Sequence, residues 1–427
     1  MRLFVTDGNL RSTLAVVRSL GQEGVFVTVG AETTSSLAGS SRYCRETLRY
    51  PSPVEQPRHF QAFLRREMAS RPAVLLPMSD ITVRLAAEVA SELMVLGARW
   101  PFPPPAYIAQ VQDKRHVLKV ARGLGIACPR QLLPEGSAIE DVAPTLRYPV
   151  VVKPRFSRYP QHNGWSHGRV QYAHSPAELI ALYRGCHSHI PNPLVQEWID
   201  GEGCGVFLLM WKGELKSAFS HRRLREKPPS GGVGVLCESR PLDERLLADC
   251  VALLSSLRWH GPAMVEFRVD RSSQPVLMEV NGRFWGSLQL TLDAGANFPA
   301  MLYRLALGEN VAPCFDYRVG VRSRWLLGDV DHLLLRLLHR RALRQLGLHG
   351  SVAQACWDFF DFADPAVRFE NPRWHDLGPS WFECGAYLRK RILPFVWSGS
   401  VPAREAQPLT PYPAPVASVE REPLART

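Results

Sequence analysis

Lysine is nearly missing from this chain: of 51 basic residues, seven are lysine and forty-four are arginine. Guanidinium groups therefore carry almost all of the net charge of +11. A charge of that sign suggests anionic ligands or surfaces. No aromatic-basic reading motif accompanies it, so a nucleic-acid partner is not expected. The nine cysteines are scattered, with no C-x-x-C pair and no histidine cluster at metal-ligand spacing. That argues against a disulfide framework and for reduced thiols in a cytoplasmic setting. No window approaches eighteen uninterrupted apolar residues, so no spanning helix is expected. The apolar run after Met1 is too short for a signal peptide. There is no internal repeat and no G-x-G-x-x-G phosphate fingerprint, the first turn reading Asp7-Gly8-Asn9. What remains is an ordinary globular composition, 46% hydrophobic over 427 residues, with room for two or three domains.

The first hundred residues alternate strand and helix. Leu3–Thr6, Val25–Val29 and Ala73–Pro77 read as strands, Arg11–Glu23 and Ile81 to about Leu96 as helices. This βαβ pattern predicts a parallel α/β domain over residues 1–100. The run Trp100-Pro-Phe-Pro-Pro-Pro105 marks its edge. A helix follows, with Lys114 in its first turns. Tyr148–Lys153 is a buried strand ending in a lysine, and Arg155–Arg169 a long polar loop with only two glycines. Leu194–Ile199 is another strand. Val206–Trp211 and Glu214–Ser220 form a hairpin around Lys212-Gly213, with a basic loop over His221–Lys227. Asp331–Leu346 is an amphipathic stretch in which Arg336, Arg340, Arg341 and Arg344 interrupt leucines. It reads as a packed surface helix of a helical C-terminal extension over residues 311–400. Peripheral membrane contact is the minor alternative. Residues 401–427, rich in proline and small residues, read as a disordered tail.

The most informative segment is a second hairpin. Ala263–Val269 and Val276–Asn281 alternate apolar and polar residues, joined by the turn residues Asp270–Pro275. Placing Asp270 opposite Pro275 pairs Val269 with Val276, Phe267 with Met278 and Val265 with Val280 on one face. On the other face Glu266 lies opposite Glu279, with Asn281 a step further along. Two carboxylates directly opposed repel each other. A divalent cation removes the conflict, since Mg²⁺ takes one or two carboxylates plus substrate phosphate oxygens. A solvent-facing hairpin with incidental acids is the other reading.

Taken in order, Lys114, Lys153, Gln196-Glu197-Trp198-Ile199, Glu266 and Glu279-x-Asn281-x-Arg283 resemble the ATP-grasp superfamily, over roughly residues 101–310. Within it, the run Gly201–Leu307 looks closest to a bacterial carboxylate–amine ligase-like group. The resemblance implies an α/β fold: an N-terminal parallel domain, an α+β ATP-grasp core and the helical extension. It implies ATP and Mg²⁺, or Mn²⁺ in its place, as cofactors. It puts Lys114 and Lys153 on the phosphates, Gln196 to Ile199 around adenine and Glu202 near the ribose, although Gly203 occupies the offset usual for that carboxylate. Glu266, Glu279 and Asn281 would hold metal. Arg283 would stabilise the transferring phosphate, unless it pairs structurally with Glu266 or Glu279. Arg223, within His221–Arg225, would bind phosphate or an acceptor carboxylate. The implied reaction activates a small acidic substrate as an acyl phosphate for attack by an amine or other nucleophile. A non-catalytic ATP-binding regulator is the rival, and a homo-oligomer is left open.

Overall fold

The computed structural model describes residues 1–161, 164–190, 192–229, 231–338, 343, 351–360 and 364–391. The first unit follows the βαβ pattern: β1 (Arg2–Val5), α1 (Arg11–Gln22), β2 (Val27–Ala31), β3 (Glu46–Arg49), α2 (Pro57–Ser70), β4 (Ala73–Leu76), α3 (Asp80–Glu88) and α4 (Ala90–Val95). Its four strands are parallel, in the order β3-β2-β1-β4. The single helix expected over 81–96 is broken at Val89, whose ψ of 10° leaves the helical range. Both faces of this sheet are buried, in two separate apolar clusters, as continuous runs such as Ala73-Val-Leu-Leu76 require.

After α5 (Pro105–Gln112), α6 (Lys114–Gly123) and α7 (Ile139–Val142) comes a small antiparallel sheet in the order β8-β5-β9. It is built from β5 (Val150–Lys153), β8 (Gln171–Ala173) and β9 (Leu194–Glu197), with α8 (Pro176–His187) packed on it. The polar loop after Lys153 is not irregular. It forms its own ribbon, β6 (Arg158–Gln161) with β7 (Gly164–His167). The ribbon leans on the first unit: Trp165 donates its N–H to Val54 O at 2.9 Å, and the Arg84 guanidinium lies over the Trp165 ring.

The largest sheet has seven strands in the order β14-β13-β10-β11-β12-β15-β16. They are β10 (Gly201–Trp211), β11 (Glu214–Lys227), β12 (Val233–Arg240), β13 (Gly261–Asp270), β14 (Pro275–Asn281), β15 (Arg322–Arg324) and β16 (Val367–Phe369). The expected basic loop His221–Lys227 is the second half of β11. Its residues pair with β12 through two register shifts, and an arginine run conceals that pairing at the sequence level. Helices α9 (Glu244–Ser256), α10 (Leu288–Ala294) and α11 (Phe298–Ala306) pack against this sheet and α1. The segment beyond residue 311 adds two short strands to the sheet edge as well as α12 (Leu326–Leu338), α13 (Val352–Phe360) and α14 (Gly378–Arg391). Arg340, Arg341, Arg344 and the 401–427 tail lie outside the described residues.

The β13–β14 register departs from expectation in one place. Val265↔Val280 and Glu266↔Glu279 hold. Beyond them the pairing slips, so that Phe267 meets Leu277 and Val269 meets Pro275. Met278 is the extra residue of a β-bulge. Two contacts from outside the hairpin accompany it. Leu277 donates its N–H to Ala127 O at 2.8 Å, and the Met278 carbonyl accepts from Lys153 Nζ at 3.2 Å.

Candidate active site at the acidic hairpin

Lys153 is the last residue of β5, so its side chain emerges where the small sheet faces the β13–β14 hairpin. Its Nζ lies 3.3 Å from Glu279 Oε2. Lys114 is the first residue of α6. Asp113 caps that helix by accepting from the N–H groups of Arg115 and His116, and it also binds the Arg155 guanidinium. Lys114 Nζ donates to Ser157 Oγ at 2.7 Å and lies 3.7 Å from Glu279. Two of the seven lysines thus converge on one carboxylate, and both are buried. Burial alone would raise the Glu279 pKa, but Lys153 and then Lys114 outweigh it and hold the carboxyl well below its ordinary value. Burial lowers the Lys114 pKa in turn, with Lys153 adding to that effect.

Glu266, directly opposite, is held by Arg223, whose NH2 lies 2.7 Å from Glu266 Oε2. Arg223 also binds Glu226 at 3.1 Å, and Arg268 reaches Glu226 at 3.3 Å. Burial disfavours the Arg223 charge, yet Glu266 and Glu226 more than compensate and raise its pKa. Asn281 donates to Glu279 Oε1 at 3.2 Å, and its own oxygen accepts from Arg283. Arg283 pairs with neither hairpin glutamate. Its Nε and NH2 fork onto Asp80 at 2.8 and 3.3 Å. Asp80 opens α3, just past the C-terminal end of β4, where open parallel sheets place their ligand sites. Beside it Asp7 follows β1 in the left-handed region, at φ 58°, and accepts from Ser79 and Thr82.

The remaining expected residues are spread out. Gln196 is buried on β9, its Nε2 without a partner among the described residues. Glu197 accepts from the Arg130 backbone N–H and from Arg130 Nε, both at 2.8 Å. Trp198 and Ile199 are half-buried in the short connection to β10. Glu202 lies 3.8 Å from Arg222 and lines a separate cavity of about 520 Å³ beneath α12. Arg223, Arg225, Arg322, Arg324 and Arg336 line the same cavity.

Comparison with known proteins bears on this arrangement. A family model described as "ATP-grasp in the biosynthetic pathway with Ter operon" matches residues 189–327. The fold is similar to that of the ADP complex of N5-carboxyaminoimidazole ribonucleotide synthetase, at a TM-score of 0.58 and 14% identity, covering 79% of this chain and 85% of that one.

The chain is an ATP-grasp protein.

An L-amino acid ligase from Bacillus licheniformis is likewise similar to it in fold, at a TM-score of 0.56 and 18% identity, over 72% of this chain and 74% of that one. The biotin carboxylase domain of Hydrogenobacter thermophilus 2-oxoglutarate carboxylase, in complex with MgADP, superposes at a TM-score of 0.59 and 13% identity, over 75% and 73% of the two chains. In sequence, the chain is 30% identical over 168 residues to a D-alanine–D-alanine ligase from Geobacter sulfurreducens. That match covers 38% of this chain and spans about half the length of the relative, 51%.

Several residues of the ATP-grasp site escaped the sequence reading. Ser157, Asp80, Asp7, Glu226 and Arg268 all belong to the network, and only Asp80 left a local signal, in the strand-end Met78-Ser-Asp80. His221 is fully buried beside the Phe207 ring, 4.7 Å between centroids, and neither ring nitrogen has a partner among the described residues. Burial, then Arg223, push its pKa well below the ordinary histidine value. All nine cysteines are free thiols. Among the described residues no helix is long and apolar enough to cross a membrane.

Proposed function

We propose that this chain is an ATP-dependent ligase that activates a small acidic substrate as an acyl phosphate for attack by an amine or another nucleophile. The observation that carries the reading is the convergence of Lys153 and Lys114 on Glu279, opposite an Arg223-bound Glu266. The two lysines are poised to hold a polyanion, and the acids beside them offer oxygen ligands.

The donor set fits a hard cation. Glu266, Glu279 and Asn281 present oxygen only, the chemistry that suits Mg²⁺ or Mn²⁺. Among the described residues no three carboxylate, imidazole or thiol groups gather as a self-sufficient metal centre. Phosphate and water oxygens would therefore complete the shell, as is usual for Mg²⁺. When bound, the metal neutralises charge on the β- and γ-phosphates.

The chain's own residues supply the rest. Lys114 and Lys153 bind phosphate oxygens as point charges. Gln196 to Ile199, on the connection between the two sheets, are assigned to adenine, and Glu202 just beyond them to the ribose. Arg283 is orientated by Asp80 and Asn281, and is assigned to charge developing on the transferring phosphoryl group. Arg223 stands between Glu266 and the arginine-lined cavity, which is assigned to the acidic substrate. The substrate carboxylate oxygen forms a bond to the γ-phosphorus, the bond to the ADP oxygen breaks, and ADP leaves. The nucleophile then adds to the acyl carbon and inorganic phosphate departs, an amine losing its proton.

A panel of carboxylates tests the reading through stimulated release of ADP and phosphate. An acid that accelerates both together supports it. Tight ATP binding with no stimulated release across a broad panel favours the regulatory alternative.

A further inference from the structure

The polarity of α12 is inverted. A surface helix normally buries its apolar stripe and shows charge to water. Here Asp329, Asp331 and His332 face inward and are buried. Asp329 binds Arg225 and Arg324 at 2.6 and 2.7 Å, Asp331 binds Lys227 and Tyr387, and His332 Nδ1 donates to Glu226 O. The leucines are left outside, Leu338 with 75% of its surface exposed and Leu334 with it. The expectation of an ordinary packed helix fails for this element, because the arginine-rich strand beneath it demands acids.

The helices touching α12 repeat the pattern. On α13 Trp357 is 77% exposed, with Phe360 one turn on. On α14, tied to α12 through Tyr387 and Asp331, Trp381 is 75% exposed and Leu388 half-exposed. Scattered exposed apolar residues need no account, but indole rings and leucines gathered on three adjoining helices mark a binding surface.

Charge identifies what covers it. From His332 to Trp357 the sequence holds four arginines and no acidic residue, and from Cys384 to Arg404 there is again no acid, with Arg389, Lys390 and Arg391 in that stretch. A second copy of the chain docked by two-fold symmetry would set these cationic borders against themselves. We propose that the α12–α13–α14 face lies on an anionic lipid bilayer, its leucine and tryptophan side chains in the headgroup boundary and its arginines on lipid phosphate. This contact is interfacial and independent of the ligase reading.

The test floats the full-length protein with vesicles of phosphatidylcholine alone or with one third phosphatidylglycerol. Binding should occur on the anionic vesicles and be lost at high salt. Replacing Trp357→Ser and Phe360→Ser together should weaken it by at least about tenfold, given how much apolar area two aromatic rings bury. Arg389→Glu with Lys390→Glu should weaken it by a similar factor, about fivefold for each cation lost near a charged surface. All four positions are exposed and outside the hairpin site, so melting temperature and ATP binding should stay unchanged. Absence of flotation, equal flotation on neutral vesicles, or flotation of the variants at wild-type strength overturns the proposal. A concentration-dependent dimer dissolved by the Trp357/Phe360 variant, with no flotation, also overturns it and assigns the face to a second copy.

Discussion

Replacing Glu279 by glutamine removes one negative charge from a site that holds two buried lysines, and the consequences run in three directions. Without the carboxylate, the ammonium groups now 3.3 and 3.7 Å away have no anion between them. Breaking a buried ion pair by deleting one partner costs about 3–5 kcal/mol. Glu279 keeps about a quarter of its side-chain surface, so a loss of about 2–3 kcal/mol is expected at neutral pH. The pH profile should change as well. In the wild type, the carboxyl is held well below 4.5, its unperturbed value, so its stabilisation is complete above that pH and lost as pH falls through the depressed value. The variant should lack that acid-side loss. It should instead gain stability as pH rises, because two uncompensated lysines have depressed pKa values and the unfolded chain binds more protons. Ligand effects should separate most clearly. ATP alone, bringing the missing negative charge, should stabilise Glu279→Gln at least as much as wild type. Adding Mg²⁺ should give no further rise, whereas in wild type ATP and Mg²⁺ together raise the melting temperature beyond the sum of each alone. Thermal melts at several pH values, with and without ATP and Mg²⁺, measure all three. Identical synergy in wild type and variant would remove Glu279 from the metal site. Unchanged stability would mean that the lysine contacts contribute nothing.

Other substitutions probe the neighbouring roles. Lys153→Ala removes a cation from a polyanion site, so ATP affinity by calorimetry should fall more than tenfold, about 1.4 kcal/mol or above; an unchanged value makes Lys153 structural. Arg283→Ala should lower turnover by about a hundredfold, with ATP affinity nearly unchanged, because its role belongs to the transition state; parallel losses in binding and rate contradict that. His221 is neutral in the fold while the unfolded chain takes up a proton below about 6.5, so stability should fall as pH drops beneath that value. The slope is at most about 1.4 kcal/mol per pH unit, and chemical denaturation of His221→Phe should show it removed.

What the sequence revealed and what it hid follow from the range of the interactions involved. The opposed glutamates were legible because strand alternation and a six-residue turn are local, and the pairing Glu266↔Glu279 is fixed by three neighbouring apolar residues. The bulge at Met278 was not, since its partners, Ala127 and Lys153, lie more than a hundred residues away. Lys153 announced itself at the end of an all-valine strand. Asp80 as the partner of Arg283 did not, because the two are 203 residues apart and no periodicity links them. The run His221–Lys227 looked like a loop because its cations suggest water, whereas each finds an acid contributed by another element. The same pairing explains α12: leucine periodicity alone predicts which face is apolar, not that acids on the other face are claimed by Arg225, Arg324 and Lys227. Three-residue strands such as β15 and β16 carry too little pattern to be seen without the sheet they join.

The claim on which the functional account rests is that a carboxylate becomes an acyl phosphate at the Glu266–Glu279 hairpin. Hydroxylamine intercepts acyl phosphates as hydroxamates, so the direct measurement is hydroxamate and ADP formed from ATP, Mg²⁺ and each acid of a panel. The account predicts the two products in equal amounts with one class of acid, and neither with Glu279→Gln. AMP and pyrophosphate in their place would contradict it.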